Sequence, residues 1–302
     1  MARQSVIQFL EKPELRQPYL VCGIGGWVDG GEAATGTTQY LIEKLRAKKF
    51  AEMPVSRYHV FQVPGQLSLR PEIKIKDGLL KEHVMPQNEF YYWVNPHSDH
   101  DLIFYLGTEP NTNWEEYAGN ILDLAAEYGA SRIYVPGGVL DKTPHTKEPG
   151  AFCACSSKEL RQEMMKYAMQ SSNYEGPGSF SITMLHLSQK RKMPFVSIIA
   201  RATYYPEFNI VIPRNPKAIR AIVLRLSSLL QLKLDTSDLD QEADELEVKL
   251  NFMASHNQEF QAYVEELEKE YVDMKYEAPL DITANEAVQL AEEFLKETRD
   301  DE

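Results

Sequence analysis

The sequence predicts an α/β protein built on a largely parallel sheet, and three observations predict it. Short apolar runs rich in β-formers alternate with amphipathic stretches of ten or more residues. The first long run, Tyr19 to Ile24, stops in Gly25-Gly26-Trp27-Val28-Asp29-Gly30-Gly31 and passes directly into a helical stretch, Glu32 to Leu45. Four turns that follow apolar runs, Gly25–Gly31, Gly107–Asn113, Gly137–Thr146 and Arg201–Pro206, should gather at the C-terminal ends of the strands, where such sheets bind ligands.

Taken in order, Arg57 to Val63 alternates and is expected as a strand, followed by a loop from Pro64 that carries Arg70-Pro71. Glu72 to Ile75 and Leu79 to Val84 flank Asp77-Gly78, the dipeptide of a tight hairpin. Phe90 to Val94 and Asp101 to Leu106 are strand-like. Gly107-Thr108-Glu109-Pro110 ends the latter, and Asn113 is placed to cap a helix from Trp114 to Tyr128, with Trp114, Ala118, Ile121, Leu122 and Ala125 on one face. Arg132 to Val135, a weak strand around Cys153, a helix from Ser157 to Met169, a helix from Phe180 to Lys190 and the strand Phe195 to Ala200 complete the alternation.

Beyond a helix at Lys217 to Leu232 the character changes. From Asp235 onward there are 22 acidic and 5 basic residues, net −17, whereas residues 1–234 carry 23 and 27, net +4. The chain thus divides into an α/β body, 1–234, and an acidic helical segment, 235–302. In the latter Leu239, Ala243, Leu246, Leu250, Met253, Asn257, Phe260, Val264, Leu267, Tyr271 and Met274 alternate spacings of four and three, a packing seam. Asn257 either fixes a register in that seam or marks the turn of a helical hairpin. A shorter helix is expected over Glu286 to Lys296. A near-neutral body with an acidic appendage argues against nucleic acid and anionic membranes as partners. Three cysteines, an odd and sparse set, and the lack of a secretory h-region fit the cytoplasm.

The glycine loop suggests a phosphate cradle, but it matches neither the dinucleotide fingerprint nor the P-loop, and Trp27 and Asp29 crowd it. A packed junction is the better reading, with Trp27 filling the space between loops and the glycines letting Arg70, Glu109 and His145 approach. Asp141, His145 and Glu148 could form an acid/base or metal set. The competing reading, a Pro-restrained turn with His145 hydrogen-bonded to a neighbouring loop, is favoured because metal sites need several ligands in defined geometry. His97, Asp99, His100 and Asp101 read as a polar loop, and Cys153-x-Cys155 has no second pair. Arg70 and Glu109 are expected to form an ordinary ion pair. No G-x-S-x-G elbow supports a hydrolase triad.

Taken together, Gly25-Gly26-Trp27-Val28-Asp29-Gly30-Gly31 with Ala33-Ala34, Arg70-Pro71, Gly107-Thr108-Glu109-Pro110 with Trp114, Pro144-His145-Thr146 and Tyr174-Glu175-Gly176-Pro177 resemble, in that order, the proteasome assembly chaperone 2 family in its longer prokaryotic form. The resemblance spans about Pro18 to Leu234. It implies a three-layer α/β/α sandwich similar to the nucleoside phosphorylase-like fold, with a C-terminal helical extension, and homo-oligomers with a chaperone or scaffold role in some members. This chain departs from the family at Asp29-Gly30-Gly31, usually Asp-Ala-Gly, and at Thr146-Lys147-Glu148, usually Thr-Arg-Pro. A lysine at position 147 weakens any bidentate anion contact there. Its final residues, Asp300-Asp301-Glu302, also differ from the hydrophobic–tyrosine ending of proteasome-binding members.

The expected function is that of an assembly chaperone or scaffold, working as a homo-oligomer on an unidentified client protein, with no cofactor and no metal. The alternative is a phosphorylase-like or ligase-like enzyme acting on an anionic substrate. No residue is assigned as catalytic. The candidate ligand or inter-loop site comprises Gly25, Gly26, Trp27, Asp29, Gly30, Arg70, Glu109, Trp114, His145, Thr146 and Tyr174.

Overall fold

The structure is a computed structural model that describes residues 6–61, 70–86, 88–273 and 276. In chain order its elements are β1 (Gln8–Phe9), β2 (Tyr19–Gly25), α1 (Thr35–Leu45), β3 (Lys48–Glu52), β4 (Glu72–Lys76), β5 (Leu79–Val84), β6 (Glu89–Trp93), β7 (Leu102–Thr108), α2 (Trp114–Glu127) and β8 (Arg132–Asp141). Then follow β9 (Ala151–Cys155), α3 (Lys158–Met164), β10 (Met169–Ser171), α4 (Phe180–Lys190), β11 (Phe195–Thr203), α5 (Pro216–Leu229), α6 (Ser237–Ser255) and α7 (Gln258–Glu270).

Nine strands form one sheet in the order β1-β3-β6-β7-β2-β8-β11-β9-β10, and β4 and β5 form a separate hairpin. The four central strands, β7, β2, β8 and β11, are mutually parallel. Toward the edges β6 and β3 run antiparallel to their neighbours, and β9 runs antiparallel to β11. The sheet is therefore mixed, with a parallel centre, rather than largely parallel. Strand alternation sorts side chains into two cores. Val21, Phe104, Tyr134, Val196 and Ile198 face α1, α3 and α5. Leu20, Cys22, Ile103, Tyr105, Ile133 and Phe195 face α2 and α4. Helices thus cover both faces, the α/β/α arrangement expected.

Asp77 and Gly78, with φ of 53° and 74°, make the two-residue hairpin turn that their sequence predicts. Other expectations need correction. Of the stretch Arg57–Val63 the described part, Arg57–Phe61, is no strand: Val55–Arg57 is a 3₁₀ turn and Phe61 lies in a turn, while Gln62 and Val63 lie outside the described residues. Its strand position in the sheet is taken by Lys48–Glu52, whose charged ends disguise a buried Phe50 and Ala51. The helix expected over Ser157–Met169 ends at Met164, because the chain turns through Ala168 at φ 50° into β10. Asn113 makes no side-chain cap; it sits at φ 56° before α2. Asn215, not singled out by the sequence reading, caps α5 through Ala218 N–H at 3.0 Å.

The acidic seam folds as two helices. Asn257 is the N-cap of α7, accepting from Phe260 N–H at 3.1 Å, so it marks a hairpin turn and not a register position. Leu239 joins the core shared with α1 and α5, and Phe260 and Val264 pack on Tyr205. Met253 of the expected seam is exposed. The predicted helix at Glu286–Lys296 and the terminal Asp300-Asp301-Glu302 lie outside the described residues. Among the described residues no helix is long and apolar enough to cross a membrane.

Candidate functional site

The four sequence-predicted segments lie at one end of the sheet, where the four parallel strands finish, but two of them are strand over half their length: Gly137–Asp141 belongs to β8 and Arg201–Thr203 to β11. Their geometry begins with the glycine loop. Gly138 N–H donates to Val28 O at 2.9 Å, and Asp29 bridges Gly138 in parallel register, so the loop continues β2 alongside β8. This closeness requires glycine: a Cβ at Gly138 would lie 2.2 Å from Gly30 O.

Asp29 closes the start of α1. Its Oδ1 accepts from Ala34 N–H at 2.7 Å and Thr35 N–H at 3.1 Å, while Oδ2 accepts from the Thr35 hydroxyl at 2.6 Å. A helix N-terminus attracts an anion, and here the anion is the protein's own carboxylate. Burial raises the Asp29 pKa, opposed by the hydrogen bonds from Thr35 and Ala34.

Glu109 performs a second bridging role. Its N–H donates to Gly25 O at 2.7 Å, and its carboxylate accepts from Trp27 N–H at 2.8 Å and Phe180 N–H at 3.1 Å. It therefore ties the glycine loop to the start of α4. Trp114 supports this junction by packing edge-on against Phe180, with its Nε1–H donating to Pro110 O at 2.6 Å.

Three sequence expectations fail here. Glu109 is used by backbone N–H groups and does not pair with Arg70; Arg70 is exposed and lines a cleft of about 510 Å³ with Glu32, Glu72 and Arg214. Trp27 does not fill the junction, being 59% exposed, since Val28 and the loop backbone already occupy the space against β8. His145 does not approach the glycine loop.

His145 is 2% exposed, and it faces the C-terminal helices. Its Nδ1 meets the Tyr205 hydroxyl at 2.8 Å, and its Nε2 meets Asn251 Oδ1 of α6 at 3.1 Å. The Tyr205 hydroxyl also accepts from His145 N–H at 2.8 Å. One neutral tautomer satisfies this set: Nε2–H donates to Asn251, and Tyr205 donates to Nδ1. Burial pushes the His145 pKa down.

The neighbouring residues behave alike. Thr146 donates to Glu268, the Tyr271 hydroxyl donates to Glu148 O at 2.6 Å, and Lys217 Nζ donates to His145 O at 2.6 Å and pairs with Glu247. Asp141 pairs with Arg201, and Glu148 with Arg220. Asp141, His145 and Glu148 thus have separate partners, and the turn with a hydrogen-bonded histidine is the arrangement found. Asn251, on α6 of the acidic segment, and Lys217, at the start of α5 in the body, carried no sequence signal, because a polar residue on a helix looks solvated until its neighbour is known.

Tyr174 is exposed on the loop before α4, its hydroxyl donating to Pro177 O at 3.1 Å. Cys153 and Cys155 are free. Among the described residues no group of three or more His, Cys, Asp and Glu side chains is placed to hold a metal ion.

A mixed sheet with a parallel centre, clothed by helices on both faces and closed at its strand ends by its own carboxylates and histidine, defines an α/β/α sandwich protein with a C-terminal helical region. The PAC2 family model matches residues 23–254, and the chain belongs to the PAC2 family. It is similar to a PAC2 family protein from Streptomyces avermitilis, at 26% identity and a TM-score of 0.70 over 82% of this chain and 99% of that one. A proteasome-assembly chaperone homologue from Mycobacterium tuberculosis matches at 25% identity and a TM-score of 0.71, over the same shares, 82% and 99%. A protein of unknown function from Corynebacterium glutamicum shares the fold, with a TM-score of 0.77 at 17% identity, over 88% of this chain and 97% of that one. Comparison with curated proteins finds no match.

Proposed function

We propose that this PAC2-family chain is a chaperone-like assembly or scaffold protein that acts through protein–protein contacts as a homo-oligomer in the cytoplasm. The observation that carries this reading is the β4–β5 hairpin. Every residue of both strands is exposed, including Ile73, Ile75, Leu79 and Leu80 at about 60%. A lone two-stranded hairpin is marginal in water, and clustered exposed aliphatic side chains mark an interaction surface. Ile75 faces Leu80 across the ladder, so the aliphatic groups are contiguous. A second copy of the chain is the partner proposed for this surface, with a client protein held by the assembled oligomer. The M. tuberculosis neighbour bears the name of a proteasome-assembly chaperone homologue, which favours protein partners over nucleic acid or membrane.

The enzyme alternative lacks a supporting observation: Asp29 takes the anion position at α1, and His145 is enclosed by Tyr205, Asn251 and Phe260. Light scattering of the full chain at micromolar concentration tests the proposal. Wild type is expected at a multiple of the monomer mass, and Ile75→Lys with Leu80→Lys at the monomer mass with an unchanged far-ultraviolet circular dichroism spectrum. A monomeric wild type overturns the oligomer; an oligomer indifferent to the double substitution removes the hairpin from it.

A further inference from the structure

On the α2/α4 side of the sheet, past α4, a cleft of about 430 Å³ opens over β9 and β11. Its floor is Phe152, Ala154, Ser197 and Ile199, side chains that alternate with the Cys153, Val196 and Ile198 of the opposite core. One wall is Ile182 with the start of α4, and the rims are Trp27 and Tyr174. These two aromatics come from separate sequence motifs, the glycine loop and Tyr174-Glu175-Gly176-Pro177, and neither packs into the body: they are 59% and 67% exposed.

Two features define what fits. Among the described residues no carboxylate, amine, guanidinium or imidazole lines the cleft, and the Glu109 carboxylate nearby is already held by two backbone N–H groups. At the floor, Ser197 is 1% exposed, and its Oγ has no hydrogen-bond partner among the described residues. A buried hydroxyl without a partner is uncommon and costly in a folded protein, so its position on the floor of this cleft, whose lining also includes Ser172, Asn173, Ser179 and Ser181, points to a ligand group. The volume of about 430 Å³ lies within the ~300–1,000 Å³ range of small-molecule sites.

We propose that this cleft binds an uncharged aromatic small molecule of about two fused rings, its ring flanked by Trp27 and Tyr174 and its one polar group hydrogen-bonded to Ser197 Oγ. Flanking aromatics supply area and ring–ring contact, and the serine hydroxyl, as donor or acceptor, fixes the depth and orientation. The site is distinct from the β4–β5 hairpin, so it stands or falls independently of oligomerisation.

Saturation-transfer NMR on the full chain with 2-naphthol as probe tests this. Saturable binding is expected, weakened about fivefold by Trp27→Ala and about threefold by Ser197→Ala. Trp27 is exposed, and the Ser197 side chain has no hydrogen bond among the described residues to lose, so both variants should keep the wild-type urea midpoint. Trp27→Ala carries the test if Ser197→Ala fails to fold. No saturation by 2-naphthol, or affinity unchanged by Trp27→Ala, overturns the proposal. Equal or tighter binding of naphthalene-2-sulfonate overturns the uncharged assignment. Binding of N-acetyl-tyrosinamide in place of 2-naphthol overturns it in favour of a peptide side chain.

Discussion

His145 and Asn251, separated by 106 residues in sequence, meet through a 3.1 Å hydrogen bond from an imidazole Nε2 to an amide oxygen. That contact fastens the turn after β8 to α6, and Thr146–Glu268 and Glu148–Tyr271 fasten the same turn to α7 and the residue after it. The motif Pro144-His145-Thr146 is therefore a clasp for the C-terminal helices.

This clasp is expected to respond to pH. The groups facing His145 are Tyr205, Asn251, Glu247, Lys217 and Glu268, and burial is the largest influence on it, lowering its pKa from 6.5. A histidine with a lowered native pKa leaves the unfolded chain holding more protons, so stability rises with pH through that range. As pH falls below about 6.5, stability should decline until the native His145 also titrates. Urea midpoints between pH 7.5 and pH 5 should fall less steeply in His145→Gln than in wild type. Parallel profiles would assign the acid sensitivity to other groups.

Asp29→Ala should lower stability by about 1–2 kcal/mol, the usual cost of removing an N-cap acceptor. Three donors lose their partner at once: Ala34 N–H, Thr35 N–H and the Thr35 hydroxyl. Asp29→Asn, which retains a carbonyl oxygen for the two N–H groups, should recover part of the loss. Urea denaturation of the pair measures both, and equal loss in the two variants would show that the charge itself carries the effect.

Gly138→Ala should destabilise by about 1–3 kcal/mol, the cost of overpacking. The added methyl would meet Gly30 O, a backbone atom that cannot rotate away. Gly178→Ala is the matched control, because nothing lies within 4 Å of its Cβ position. A comparable loss at both sites would remove close approach as the explanation.

The acidic segment is proposed to belong to the same folding unit as the body. Leu239 is fully buried in the core with α1 and α5, Tyr40 Oη donates to Asp238 at 2.8 Å, and Lys217, itself buried, has Glu247 as its ion-pair partner. A chain ending at Leu234 should unfold at lower urea concentration than the full chain and lose the His145 pH response. A truncated chain with the full-length midpoint would make 1–234 an autonomous domain.

The sequence by itself determined the local elements and where the loops gather. Alternating apolar runs located the central strands, Asp77-Gly78 gave the hairpin turn, and the four-and-three spacing from Leu239 to Leu267 located helices with a buried side. These depend on neighbours in the chain, on backbone φ preferences and on side-chain periodicity. Only the tertiary structure decided what each polar residue does. Glu109 could equally have met Arg70 as the N–H groups of Trp27 and Phe180, and Asn257 could have served a seam as well as a cap. A carboxylate or imidazole takes whichever partner the sheet order brings within 3 Å or so, and that order is fixed by packing among strands far apart in sequence. Likewise the antiparallel edges, and the uncharged cleft between Trp27 and Tyr174, exist only because separate segments of the chain are folded side by side.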